Sequence, residues 1–180
     1  VFAGPSVADC IDAMKIADGG AGVLRLYGNY GGDCMNFDMA GEMLEIEGLE
    51  STTVLVADDV ASAPPEEAEK RRGVAGMIYA FKIAGAKASA GASLAEVTAT
   101  AQKAADACRS IGVALTPCTV PEAGKPTFEI ADDEIEMGMG IHGEPGIWRG
   151  KMKPADEVAA EMLDRLLADQ PLENGDRISV

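Results

Sequence analysis

Gly22-Val23-Leu24-Arg25-Leu26-Tyr27-Gly28-Asn29-Tyr30-Gly31-Gly32-Asp33 divides into two halves of different character. Gly22 to Tyr27 reads as a strand, and Gly28 to Asp33 as a turn full of glycine. A helix is expected to follow, from about Cys34 to Glu47. Upstream, Ser6 can cap a helix that runs through Val7, Cys10, Ile11, Met14 and Ile16 toward Asp18 and stops at Gly19-Gly20. Downstream, Thr52 to Ala57 reads as the next strand and ends in Asp58-Asp59. Strands alternating with helices predict an α/β fold, a layered parallel or mixed sheet flanked by helices.

The pattern continues along the chain. Pro64 and Pro65 mark a loop, and Glu66 to Ala88 reads as largely helical. Ser93 is a good cap for a helix through Val97, Ala101, Ala104 and Cys108. Gly112 to Leu115, Thr127 to Ile130 and Glu134 to Met139 read as strands, the first two joined by a proline-rich connection. Pro154 or Ala155 opens a last helix with Val158, Met162, Leu163 and Leu166 on one face. Ligands in such sheets bind beyond the carboxyl ends of strands. Three candidate loops lie there: 28–33, 58–62 and 140–146. The 180 residues suit one domain or slightly more, with a first subdomain over about 1–110 and a second over about 111–180. The start at Val1 without Met and the stop at Ile178-Ser179-Val180, as a strand begins, read as cuts through a longer protein.

Fifteen Lys and Arg stand against 30 Asp and Glu, a formal net charge of −15. That field repels phosphate backbones and anionic lipid, so nucleic-acid and membrane-surface roles are not expected. Lys70-Arg71-Arg72 is the tight basic cluster; its plain reading is a solvated helix face, and a local phosphate pocket is the other. Cysteines at 10, 34, 108 and 118 form no C-x-x-C pair and have no histidine at ligand spacing, which predicts no metal and reduced thiols in a cytoplasmic protein. No apolar run approaches the roughly 18 residues of a spanning helix.

His142 is the single histidine, so imidazole chemistry in this chain rests on it. Glycines at 138, 140, 143 and 146 strip side chains from its surroundings, and Pro145 stiffens the turn. A structural or merely exposed histidine is the alternative. Gly138, Gly140 and Gly143 also spell G-x-G-x-x-G, but Pro145 follows at once and the next helix begins only near 154. A pyrophosphate would lack its helix N-terminus. No cofactor-binding loop is expected. Asp33 is either an N-cap or a general base. Asp58 and Asp59 are cap and turn residues or line a site, the former being preferred for Asp59.

The stretches Gly28-Asn29-Tyr30-Gly31-Gly32-Asp33-Cys34-Met35-Asn36-Phe37, Asp58-Asp59-Val60-Ala61-Ser62, Lys70-Arg71-Arg72-Gly73-Val74-Ala75, Cys118-Thr119-Val120-Pro121 with Gly124-Lys125-Pro126, and Gly140-Ile141-His142-Gly143-Glu144-Pro145-Gly146 resemble, in order, the substrate-binding domain of the dihydroxyacetone kinase family. The resemblance spans nearly the whole chain. It implies that His142 bonds covalently to a substrate ketone as a hemiaminal, and that Asp33 is the base or partner for the hydroxyl that accepts phosphate. Gly28, Asn29, Tyr30, Gly140 and Gly143 become substrate-binding positions. Many members carry Lys where this chain has Gly28; its loss is expected to open space beside Asp33, as in the branch acting on four-carbon ketoses such as erythrulose. The family's upstream Gly-Ser-Gly-His segment is absent here. ATP-Mg or bound ADP is expected on a separate helical nucleotide-binding domain or subunit, a homodimer is implied, and the isolated chain is not expected to be active. A non-catalytic ketose-sensing paralogue is the alternative.

Overall fold

A computed structural model describes residues 4–121 and 123–180; Val1, read above as a cut end, lies outside them. The chain forms two compact units. The first contains the described residues up to Asp58 together with Glu69–Cys108, and the second contains Asp59–Ala68 and Arg109–Val180.

In the first unit, α1 (Val7–Ala17) starts where Ser6 and Asp9 close a capping box, each side chain meeting the other's backbone N–H. β1 (Val23–Gly28) pairs in parallel with β2 (Ser51–Val56), Val23 opposite Ser51 and Gly28 opposite Val56. The helix between them, α2 (Gly31–Ile46), is the crossover that a parallel pair requires. α3 (Gly76–Ser89) and α4 (Leu94–Ala107) follow, the latter opened by a second capping box, Ser93 with Glu96.

The two-residue period of β1 sorts its side chains between layers. Leu24 and Leu26 pack with Val54, Val56, Ala80, Ala84, Val97, Ala101 and Ala105, the core under α3 and α4. Val23 packs with Cys10, Met14, Ala40 and Leu44 under α1 and α2. On that same side the Tyr27 ring stacks on Phe37 at 4.4 Å, and Arg25 donates to Phe37 O and pairs with Asp38. A Cβ at Gly41 would overlap the Arg25 guanidinium, so glycine in α2 is what admits this arginine. The alanine-rich faces of α3 and α4 keep that layer close to the strands.

The second unit carries an antiparallel sheet in the order β3 (Val113–Ala114), β4 (Glu134–Met137), β5 (Trp148–Lys151). α5 (Ala155–Asp169) follows, N-capped by Pro154. Ile135 and Met137 of β4 are fully buried. Arg109 and Asp169 join the two ends of this unit at 2.6 Å. The segment 59–68 enters it through Val60 N donating to Ser110 O.

The expected α/β class holds, with the strands divided into a parallel pair and a separate antiparallel sheet. Three local expectations change. Residues 66–88 are not one helix: a 3-10 stretch, Pro65–Lys70, ends before an irregular 71–75. Arg71 is 1% exposed and non-helical, so the basic run is not a solvated helix face. Residues 127–130 form no strand, although Thr119 bridges to Pro126 beside them. β5 was not foreseen. No described helix is long and apolar enough to cross a membrane.

Candidate functional site

The predicted residues fall into two groups, one in each unit. Gly28, Asn29, Tyr30 and Asp33 cluster where β1 passes into α2. Tyr30 is the N-cap and supplies no side-chain cap bond, so Gly31, Gly32 and Asp33 form the first turn of α2 rather than a turn ahead of it. Asp33 is therefore not the N-cap. Its carboxylate lies at the positive end of the helix, a setting that favours negative charge. Gly4 is packed so closely that a Cβ there would overlap Asp33 Oδ1. Asn36 Nδ2 donates to Pro5 O, holding this segment against α2.

Asn29 organises the neighbouring loop. Its Nδ2 donates to both Glu69 O and Arg71 O, at 2.9 and 2.8 Å, while its backbone N–H extends the β ladder to Val56 O. Cys34 Sγ lies 3.7 Å from Asn29 Oδ1. Burial, followed by the Asp38 and Asp33 charges, pushes the Cys34 thiol pKa up, which keeps it protonated.

Gly28 is buried. A Cβ there would meet Met77 Sδ at 2.9 Å, Gly73 O at 3.1 Å and Tyr30 Cε2 at 3.2 Å. Gly73 is glycine for the reciprocal reason, since a Cβ on it would overlap Val56 O and Gly28 Cα. Met77, Gly73 and Tyr30 thus crowd the point from which a side chain at position 28 would start.

Asp58, at the end of β2, is fully buried and caps α3 from outside the helix: Oδ1 accepts Val74 N–H at 2.7 Å and Oδ2 accepts Gly76 N–H at 2.8 Å. Asp59 behaves as the turn residue expected, with Oδ1 accepting Ala61 N–H.

In the second unit, β4 ends because Gly138 turns to φ +80°, a conformation glycine adopts without penalty. Gly138 N–H donates to Gly112 O, Gly140 N–H to Glu144 O, and Gly143 N–H to Gly140 O, folding 138–146 into a tight loop. Gly140, His142 and Gly143 are all on it. Gly143, at φ +86°, is a second position that needs glycine. Gly146 N–H donates to Oε1 of buried Glu136, whose Oε2 is gripped by Arg149, with Nε at 2.7 Å. That anchor fixes the end of the loop.

The His142 side chain is 30% exposed and faces a carboxylate. Glu144 Oε2 accepts the His142 backbone N–H at 3.0 Å, and Glu144 Oε1 lies 3.1 Å from the ring Nδ1. Burial pushes the Glu144 pKa up, but backbone hydrogen bonds from Glu144 and His142, joined by the His142 ring, outweigh it and hold the group below its ordinary value. Glu136 and Glu144 were missed as site residues in the sequence. Glu144 had a signal, a carboxylate two residues after the lone histidine; Glu136 sat in a strand pattern and had none. Among the described residues, no three His, Cys, Asp or Glu side chains cluster closely enough to hold a metal ion.

Residues 1–180 match the family model described as the Dak1 domain. The chain belongs to the dihydroxyacetone kinase family. It is 44% identical over 180 residues to the dihydroxyacetone-binding subunit DhaK of the PTS-dependent dihydroxyacetone kinase 1 of Listeria innocua, matching all of this chain and 55% of that protein. It is 43% identical over 171 residues to L-erythrulose 1-kinase of Mycolicibacterium smegmatis, matching 95% of this chain and 30% of that one. The dihydroxyacetone kinase of C. freundii superposes with a TM-score of 0.85 at 39% identity, covering 95% of this chain and 31% of that. The chain thus spans about half the length of the curated DhaK subunits it matches, and about a third of L-erythrulose 1-kinase and of the C. freundii kinase. Family members named for three-carbon and four-carbon ketoses stand at nearly equal identity, so overall likeness does not separate the two branches.

Proposed function

We propose that this domain binds a small ketose, dihydroxyacetone or erythrulose, through covalent capture by His142 and presents a terminal hydroxyl for phosphorylation. Its main support is the placement of the chain's single imidazole on a side-chain-poor loop against Glu144, in a family whose relatives are named for dihydroxyacetone binding and erythrulose phosphorylation. An unprotonated imidazole nitrogen adds to a ketone carbon, while the former carbonyl oxygen takes a proton to become hydroxyl. Glycerol offers no such carbon. Asp33 accepts or steers the proton of the hydroxyl that receives phosphate; phosphoryl transfer depends chiefly on such positioning. Gly28, Asn29 and Tyr30 shape the loop carrying Asp33, and Gly140 and Gly143 the loop carrying His142.

The phosphate donor belongs elsewhere in this scheme. A C. freundii dihydroxyacetone kinase solved with AMP-PNP and Mg2+ is about three times longer than the part this chain covers, so ATP-Mg or bound ADP is assigned to a helical nucleotide-binding domain or subunit. A homodimer and a cytoplasmic location complete the proposal. A second reading, a ketose sensor without catalysis, draws on the likeness to a dihydroxyacetone kinase operon co-activator at 32% identity and a TM-score of 0.82. Asp33 argues for the enzyme, because sensing requires capture but no base.

Intact-protein mass spectrometry under native conditions tests capture with dihydroxyacetone, erythrulose and glycerol. The expected result is a gain of one whole sugar, without loss of water, for either ketose and none for glycerol, abolished in His142→Ala. A retained adduct in that variant refutes the assignment to His142, and an unmodified wild type refutes the mechanism. Asp33→Asn should keep the adduct and lose phosphorylation when the nucleotide-bearing partner is supplied.

A further inference from the structure

We propose that Glu144 is a positioning residue for His142: it holds the imidazole as the Nδ1–H tautomer, so that the lone pair resides on Nε2, and it steadies the positive charge the ring acquires on attacking a ketone. This rests on the capture reading above and specifies how the nucleophile is prepared.

The geometry is a two-point grip. One Glu144 oxygen accepts the His142 backbone N–H at 3.0 Å, and the other lies 3.1 Å from Nδ1. A carboxylate only accepts hydrogen bonds, so the ring nitrogen facing it must be the donor, and a neutral ring then carries its proton there. The carboxylate stays ionised because its hydrogen bonds outweigh its burial. The backbone contact also fixes where the second oxygen can stand, which sets the ring's orientation. Gly140 N–H donates to the Glu144 carbonyl, so the carboxylate's own backbone is tied into the same loop.

The chemical consequence follows from proton accounting. When Nε2 gives its pair to the ketone carbon, the carbonyl π bond breaks toward oxygen and the ring becomes cationic. Glu144 stabilises that cation through Nδ1–H. The alkoxide takes a proton from water and the Nδ1 proton leaves by way of Glu144 to solvent, so the neutral hemiaminal forms without net gain or loss of protons. The opposite tautomer, with hydrogen on Nε2, has no pair to donate at that atom.

Glu144→Gln is the discriminating variant. Its amide oxygen can still accept the His142 N–H, while its NH2 group is presented to Nδ1, which forces Nδ1 to accept and places the ring proton on Nε2. Nitrogen-15 NMR of untagged, histidine-labelled protein reads the tautomer directly, because the sequence has one histidine. Wild type is expected to show protonated Nδ1 and unprotonated Nε2, and Glu144→Gln the reverse. The rate of dihydroxyacetone adduct formation, followed by mass, should fall about 10- to 100-fold, the range seen when the carboxylate partner that orients a metal-bound histidine is removed. Unchanged Trp148 emission establishes that the unit remains folded. The same tautomer in both proteins, or an equal adduct rate, overturns the proposal. A tautomer reversal in a protein that never takes up dihydroxyacetone supports the positioning while refuting covalent capture, so the two ideas fail separately.

Discussion

Replacing Gly28 with alanine should destabilise the first unit, against the usual sign of that substitution. Gly28 is a strand residue outside the positive-φ glycines, and alanine at such a site ordinarily gains about 0.5–1 kcal/mol by restricting the unfolded chain. Here the new methyl meets Met77 Sδ at 2.9 Å, the Gly73 carbonyl at 3.1 Å and the Tyr30 ring at 3.2 Å. Methionine can swing away, but the carbonyl belongs to a backbone pressed against Gly28 and yields less easily. Overpacking of this kind costs about 1–3 kcal/mol; at about 2.5 kcal/mol, the upper half suited to a backbone neighbour, the net loss is about 1.5–2 kcal/mol. With a urea slope of about 2 kcal/mol per molar, the midpoint of tyrosine-detected unfolding should fall by roughly 0.5–1 M. Shortening Met77 to alanine removes one of the three collisions, so the double mutant should recover about 1 kcal/mol relative to the sum of the singles. A Gly28→Ala protein as stable as wild type, or more so, would refute the close packing.

Two further predictions concern buried and titrating carboxylates. Asp58→Ala should cost about 3–5 kcal/mol, because two amides at the start of α3 lose a charged acceptor; urea unfolding and amide exchange at Val74 and Gly76 measure it, and a loss below about 1 kcal/mol would argue against this cap. Glu161, bonded by Lys153, Trp148 Nε1 and Arg165 in that order of effect, has its pKa lowered to about 2. A depressed carboxylate pKa gives stability that is present above the ordinary value near 4.5 and drains away as pH falls toward the folded value. Trp148 emission should therefore change with a midpoint near 2, and Glu161→Gln should flatten that transition; an identical acid profile in the variant would show that Glu161 is not its source.

Local chemistry made much of the fold legible. Ser6 and Ser93 announce helices because each can accept an amide N–H three residues on, and both do so within full capping boxes. β1 and β2 were visible as apolar runs. The start of α2 was misplaced by three residues because Gly31 and Gly32 are poor helix formers, and their place in the first turn follows from the chain leaving β1 at Tyr30. Residues 71–75 were misread for a different reason. What holds them is distant in sequence: Asn29 binds the carbonyls of Glu69 and Arg71, and Asp58 binds the amides of Val74 and Gly76. β5, Trp148-Arg149-Gly150-Lys151, is short and half charged, and becomes a strand through pairing with β4 and the Arg149–Glu136 contact. In the site, glycine spacing around His142 was readable, whereas the crowding at Gly28 depends on Met77 and Gly73, about fifty residues away.

The aromatic residues give the two units separate optical signatures. Tyr27, Tyr30 and Tyr79 all lie in the first, and Trp148, the chain's single tryptophan, lies in the second. Excitation at the red edge of the indole band therefore follows the unit bearing His142 alone. Near-ultraviolet circular dichroism of the stacked Tyr27 and Phe37 rings follows the unit bearing Asp33. Without any label, a melting experiment can tell whether the unit bearing His142 and the unit bearing Asp33 come apart in one cooperative step or in two. A ketose that raises one transition and leaves the other in place would identify which unit holds it.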